Sequence, residues 1–168
     1  MHALKQFGVY GAQDVADFGC GSGHFSLCAA SRLDGGRVFS IDIQKEMLER
    51  LVAEATHYGH KNIHPIWGDL SSRKGVPLSD ATIDKAIVSN VLFQVDDREM
   101  LAGEVKRLLK KNGKVLVIDW HPNDDFGPHR KHSVSKKETT DLFTRHGFVF
   151  EKDIDAGDHH YGMIFRLS

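Results

Sequence analysis

The chain has 168 residues, 40% of them hydrophobic and 27% charged, with a formal net charge of -1. That size suits one hydrophobic core, so a single domain over residues 1–168 is expected, and near-neutrality removes any global field that would recruit nucleic acid or acidic membranes. No apolar run is long enough to span a bilayer, residues 1–8 lack the apolar stretch of a signal peptide, and the two cysteines, Cys20 and Cys28, form neither a disulfide framework nor a zinc pattern, so reduced thiols in a cytoplasmic protein are expected.

Short β-like runs alternate with helical stretches. Val15–Phe18 is the first predicted strand, followed by a helix over Ser22–Leu33 with Ser22 as its N-cap. Arg37–Ile41 is the second strand. Gln44–His57 is a helix whose Met47, Leu48, Leu51 and Val52 recur at helical spacing, with Gly59 as its stop. Asn62–Trp67 and Lys85–Ser89 are the third and fourth strands. Asp97–Leu109 is a helix that Lys110, Lys111 and Gly113 should close. Lys114–Asp119 is the fifth strand. Ser135 opens a helix through His146, with Glu138 completing a capping box. Phe148–Ile154 and Tyr161–Leu167 form a terminal hairpin. Such alternation implies a parallel sheet covered on both faces, and these sheets place ligands outside the carboxyl ends of their strands.

The informative residues stand at those ends. After the first strand comes Asp17-Phe18-Gly19-Cys20-Gly21-Ser22-Gly23-His24. Gly19 supports a tight turn, Gly21 lets a ligand approach the main chain, and Gly23 starts a helix whose free amides can meet an anionic group. Asp42 follows 19 residues after Gly23 and ends the second strand, where a carboxylate can accept both hydroxyls of a ribose. A dinucleotide fingerprint would need glycine or alanine where His24 stands. The turn instead reads G-x-G-x-G with Asp17 two residues ahead, suited to an amino acid's ammonium and repulsive to a pyrophosphate.

With these features the chain resembles the class I S-adenosylmethionine-dependent methyltransferases, in a minimal form nearest their small-molecule branch. The resemblance covers essentially the whole chain. It implies an α/β, Rossmann-like, doubly wound sheet of seven strands, mostly parallel with an antiparallel C-terminal hairpin. It implies S-adenosylmethionine as cofactor, with S-adenosylhomocysteine as product. The cofactor site would use Asp17, Gly19, Cys20, Gly21, Gly23 and His24 of the first motif, and Asp42 on the ribose. Asp69 would accept from the adenine amino group, with Ile43 and Leu70 packed on the ring. Ser89-Asn90-Val91 would lie beside the methyl group. The resemblance is incomplete at the acceptor: the helices that often precede the first strand are missing, and Trp120–Val134 is short for a lid. The acceptor site should therefore be open, or completed by the substrate or another subunit, which admits a homodimer.

Methyl transfer from a sulfonium is an in-line displacement with a neutral leaving group, so positioning carries most of the catalysis and a base is needed only when the acceptor must lose a proton. Asp119 and His121, after the fifth strand, are the candidate bases, set against ordinary readings as a loop-bracing carboxylate and an exposed loop histidine. His121, His129, His132, His159 and His160 lack a familiar ligand spacing with a carboxylate, so no metal is expected. The expected acceptor is a small molecule. An RNA contacted by the basic segment His129-Arg130-Lys131-His132, a non-catalytic S-adenosylmethionine-binding module and a nicotinamide-dependent oxidoreductase are the alternatives. Tyr58-x-x-Lys61 mimics a dehydrogenase pair but lies too early in the chain for that role.

Overall fold

The computed structural model describes residues 2–122, 124, 126–127 and 133–168. In chain order the elements are α1 (His2–Phe7), β1 (Val15–Phe18), α2 (His24–Ala30), β2 (Val38–Asp42), α3 (Lys45–His57), β3 (Ile63–Trp67), β4 (Ile83–Ser89), α4 (Arg98–Leu108), β5 (Leu109–Trp120), α5 (Lys136–Arg145), β6 (Phe148–Ile154) and β7 (His160–Leu167). The strands form one 7-stranded sheet in the order β3-β2-β1-β4-β5-β7-β6. The first five are parallel, and β7 runs antiparallel to both β5 and β6. The parallel core is what the alternation of elements implied, and the seven-stranded sheet with its antiparallel hairpin is what the resemblance implied. Chain order reverses between β1 and β4, so the connections leaving those strands diverge and open a crevice at the sheet's carboxyl rim.

Side-chain alternation along the strands sorts the core into two layers. Ala16, Phe18, Val88, Val115 and Val117 join Leu101, Val105, Leu142 and Phe143 under α4 and α5. Val15, Ile87, Leu116 and Ile164 join Leu4, Phe7, Ala29 and Ala30 under α1 and α2. Both layers are buried, which is why the central strands read as nearly continuous apolar runs. Phe143 stacks on Phe165 at 5.1 Å and meets Phe148 edge-on at 5.3 Å, tying α5 to the terminal hairpin. Among the described residues no helix is long and apolar enough to cross a membrane.

Three expectations are corrected. Ser22 is exposed and does not cap α2; the cap is Gly23, at φ 88°, and the helix runs only to Ala30. Its first turn must bend sharply out of the glycine turn, and only glycine takes that angle without strain. Lys110, Lys111 and Gly113 do not close α4. The chain turns extended at Leu109, ψ 136°, because Leu109 is buried and pairs with Ile83 of β4. The register then shifts before pairing resumes at Lys114, so those polar residues ride on a bulged strand. Finally, the segment before β1 is not bare: α1 packs Ala3, Leu4 and Phe7 into the core.

The α5 capping box is present as expected. Ser135 Oγ accepts from Glu138 N at 3.2 Å, and Glu138 Oε2 accepts from Ser135 N at 2.8 Å. Ser135→Ala should cost about 1 kcal/mol in urea unfolding, the usual worth of an N-cap. A change below a few tenths would show that the cap carries no stability here.

Candidate functional site

The crevice contains a cleft of about 420 Å³ lined by Gly19, Gly21, Asp42, Ile43, Asp69, Leu70 and Val91, among others. Residues expected at one ligand from three separate loops thus surround one space. The glycine turn is shaped for this. Gly21 lies at φ 51°, and a side chain added there would meet nothing within 4 Å, so its main chain faces open space. Its N–H donates to Asp42 Oδ2 at 2.9 Å, while Asp42 Oδ1 accepts from Gln44 N at 2.9 Å. Asp42 therefore fixes the turn to the start of α3, and each oxygen keeps a lone pair for a further donor.

Asp69 is held in the same way. Its Oδ1 accepts from Ser71 N at 2.9 Å and its Oδ2 from the Ser72 hydroxyl at 2.5 Å. These bonds, the Ser72 one foremost, keep its carboxyl below the usual aspartate range, so it is a charged acceptor at neutral pH. Ile43 and Trp67 are exposed on the rim, with Trp67 Nε1 donating to the Ile43 carbonyl at 2.9 Å. Met47 and Leu70 add apolar surface beside the carboxylates. Gln44, Met47, Ser71 and the Gln94–Asp96 segment also line the cleft and went unmarked in the sequence; only Gln44 had a local signal, its place two residues after the ribose-type acid.

Asp17 is not part of the cleft wall. It is buried under the turn, where Ser26 Oγ donates to its Oδ2 at 2.7 Å and Ser40 Oγ donates to Ser26 Oγ at 2.7 Å. Burial pushes its pKa up to about 6, opposed by the Ser26 bond and assisted by the nearby Asp42 charge. Because the folded value exceeds the unfolded one, stability linked to this proton is full below pH about 4 and lost as pH rises through about 6. Asp17→Asn keeps an oxygen for Ser26 and removes the titration. Its stability relative to wild type should therefore climb between pH 4 and pH 7 in urea unfolding. A flat difference would show that Asp17 is ionised throughout.

Cys20 packs with Leu48 and Leu51, and burial pushes its thiol up, far from a reactive thiolate. Gly23 is buried behind the turn against Leu51. His24 and Asn90 line a second cavity of about 410 Å³ on the other side of the turn, together with His2, Asp155 and His160. Asp119 is fully buried; its Oδ2 accepts from Leu92 N at 3.1 Å and its Oδ1 from Trp120 N at 2.8 Å. Burial raises its pKa to about 6, yet Oδ2 braces the segment after β4 and Oδ1 is occupied at the end of β5. His121 is exposed, with its ring 6.0 Å from that of Tyr161, and neither Asp119 nor His121 lines either of these two cavities. Among the described residues no three His, Cys, Asp or Glu side chains are grouped to hold a metal. His129–His132, the basic segment, lies outside the described residues.

The family model described as a methyltransferase domain matches residues 12–161. Among curated relatives, a malonyl-[acyl-carrier protein] O-methyltransferase of Methylovorus sp. (strain MP688) is 32% identical over 116 residues, covering 66% of this chain and 38% of the relative. A 2-phytyl-1,4-naphtoquinone methyltransferase of Trichormus variabilis is 29% identical over 124 residues, covering 73% of this chain and 53% of the relative. The chain thus spans about half the length, or less, of these relatives. A solved S-adenosylmethionine-dependent methyltransferase from Aquifex aeolicus superposes with a TM-score of 0.90 at 23% identity, over 98% of this chain and 87% of that one, and shares its fold. With the family model covering nearly its full length and the sheet order to match, the chain belongs to the methyltransferase-domain family, in its class I, S-adenosylmethionine-dependent form.

Proposed function

We propose that this domain binds S-adenosylmethionine in the cleft between the glycine turn and Asp69, and transfers its methyl group to a small-molecule acceptor. The observation that carries this reading is the convergence of Gly21, Asp42 and Asp69 on one cleft of about 420 Å³. The residues fit the cofactor. Gly21 offers an uncovered main chain, Asp42 spare lone pairs for two ribose hydroxyls, and Asp69 a charged acceptor for an amino group. Ile43, Met47 and Leu70 offer apolar surface to a flat ring. Buried Asp17 and Ser26 support the turn from below.

When bound, the cofactor supplies an activated methyl with a neutral thioether as leaving group. The chain's share is to hold acceptor and methyl in line and to exclude water, an effect worth several kcal/mol, with about 7–11 as the intramolecular ideal. The curated relatives are named for acceptors that are a carrier-linked carboxylic acid and a quinone, and a small acceptor is the reading carried to this chain. The helix α1 and the turn before β7 contribute to the wall of the second cavity. The dehydrogenase-like Tyr58 and Lys61 lie at the end of α3 opposite the cleft, some 20 Å from Gln44 by helix length, and take no part.

Calorimetry with S-adenosylhomocysteine tests the assignment directly. Binding in the micromolar range is expected, with NADH failing to compete. Absence of binding by the folded protein, or displacement by NADH, would overturn it.

A further inference from the structure

The connection from β3 to β4 places Asp69 and Leu70 on the cleft and then runs on to Ile83. Its first turn closes on itself. Asp69 N donates to the Gly75 carbonyl at 3.1 Å, Gly75 N to the Ser72 carbonyl at 3.0 Å, and Ser72 N to the Asp69 carbonyl at 3.3 Å. Gly75 lies so close that an added Cβ would stand 2.0 Å from the Asp69 carbonyl oxygen. The place of Asp69 is therefore set by where Gly75 is held.

The hold comes from α4, on both sides of Gly75. Before it, Lys74 N donates to Glu104 Oε1 at 3.0 Å. After it, Arg107 Nη2 donates to the Val76 carbonyl at 2.9 Å, and Arg107 Nη1 to the Leu78 carbonyl at 2.6 Å and to Asp80 Oδ1 at 2.9 Å. The Arg107 carbonyl accepts from Ala81 N at 2.9 Å. The two side chains also fix each other: Arg107 Nε donates to Glu104 Oε1 at 2.9 Å and Nη2 to Glu104 Oε2 at 2.7 Å. Glu104 is buried, and Leu101, Val105 and Leu108 of the same helix are fully buried, so this clamp stands on a fixed base. A planar guanidinium can serve a carboxylate and two carbonyls at once, which a lysine ammonium cannot reproduce.

The backbone shows what the clamp restrains. Among the described residues four that are not glycine have positive φ. Two are asparagines, which take that region readily; the others, Lys74 at 54° and Ala81 at 52°, both lie in this connection. Each of these two has its N–H on the clamp. Backbone strain of this kind persists only where the surroundings over-determine it, and it gathers at ligand sites. Glu104, Arg107, Lys74 and Ala81 are not part of the cleft lining, so any influence on a ligand passes through the Asp69–Gly75 turn.

Resting on the S-adenosylmethionine reading above, we propose that Glu104 and Arg107 are positioning residues that set the Asp69 carboxylate to accept from a 6-amino purine and to reject a 6-keto one. A carboxylate only accepts. The adenine amino group donates to it, whereas a keto oxygen at the same place would oppose it lone pair to lone pair. A 6-keto ring still offers an N–H at the neighbouring ring atom, so discrimination depends on where the carboxylate stands and not merely on its presence. A clamp that served stability alone would weaken both bases alike; a positioning clamp changes their ratio.

Calorimetry with S-adenosylhomocysteine and its 6-keto counterpart, S-inosylhomocysteine, tests this. Wild type should prefer the amino form by about tenfold or more, as expected of a hydrogen-bonding site offered the wrong partner. Arg107→Lys keeps the charge but not the fork. It should weaken S-adenosylhomocysteine by about fivefold or more while S-inosylhomocysteine moves by less than about twofold. Glu104→Gln keeps an oxygen for Lys74 N and should lower the preference by about twofold to fivefold. Ser135→Ala, which weakens α5 away from this connection, should leave the preference unchanged. Urea unfolding checks that each variant is folded, and Glu104→Gln alone decides if Arg107→Lys is not. A preference unchanged in the folded clamp variants, or one lost equally in Ser135→Ala, would overturn the proposal. Equal binding of both ligands by wild type would overturn it together with the role of Asp69, leaving the cofactor site standing. Binding of neither ligand by wild type would bring down the S-adenosylmethionine reading as well.

Discussion

Asp42→Ala should weaken S-adenosylhomocysteine binding by about 1.5–3 kcal/mol, one to two orders of magnitude in Kd. Two effects combine. The variant loses a charged acceptor for the proposed ribose hydroxyls, and it releases the bonds from Gly21 N and Gln44 N that hold the turn against α3. Both donors are partly exposed and can turn to water, so the global fold should change little. Asp42→Asn separates the effects. Its amide oxygen can still serve one backbone donor, but its NH2 faces the other and the charge is gone, so an intermediate loss is expected. Calorimetry reads both. Unchanged affinity in folded Asp42→Ala would end the ribose assignment.

Gly23→Ala should lower unfolding free energy by about 2–5 kcal/mol, from a left-handed backbone worth about 1–2 and overpacking worth about 1–3. At φ 88° an added Cβ would stand 2.3 Å from Leu51 Cδ1, and Leu51 is fully buried between α3 and the turn. Pairing the variant with Leu51→Ala should relieve the clash but not the backbone strain, so the double variant should fall short of additivity. Urea denaturation with a constant m-value would read these differences. A loss under 0.5 kcal/mol, about the limit for a change of no structural consequence, would mean that the turn adopts another path.

Where chemistry is local in the chain, it was legible. The glycine turn, Asp42 and Asp69 each follow a strand directly, and strand ends of a parallel sheet share one rim, so sequence order alone brings them together. The capping box of α5 was legible for the same reason, since both partners lie within one turn. What stayed hidden depends on contacts far apart in the chain. The end of α4 is set by Leu109 pairing with Ile83, against the helical continuation that Lys110 and Lys111 suggest. Asp17 looked like a ligand for an ammonium, but its burial under Ser26 shows only once α2 is packed on the sheet. His160 read as one of several scattered histidines. Its position across from Trp120 needs the antiparallel pairing of β5 with β7.

That pairing has a consequence for synthesis. The seventh strand in sequence is an interior strand in space, lying between β5 and β6. While the polypeptide leaves the ribosome, five strands can assemble, yet the flank of β5 has no neighbour until β7 emerges. During that interval β5 presents an unsatisfied ladder to any passing chain, a hazard for aggregation. His160 and the Gly157 turn reach their cavity in the same closing event. The nascent domain therefore acquires its outer sheet and one wall of the second cavity together, and a product stalled before β7 would have neither.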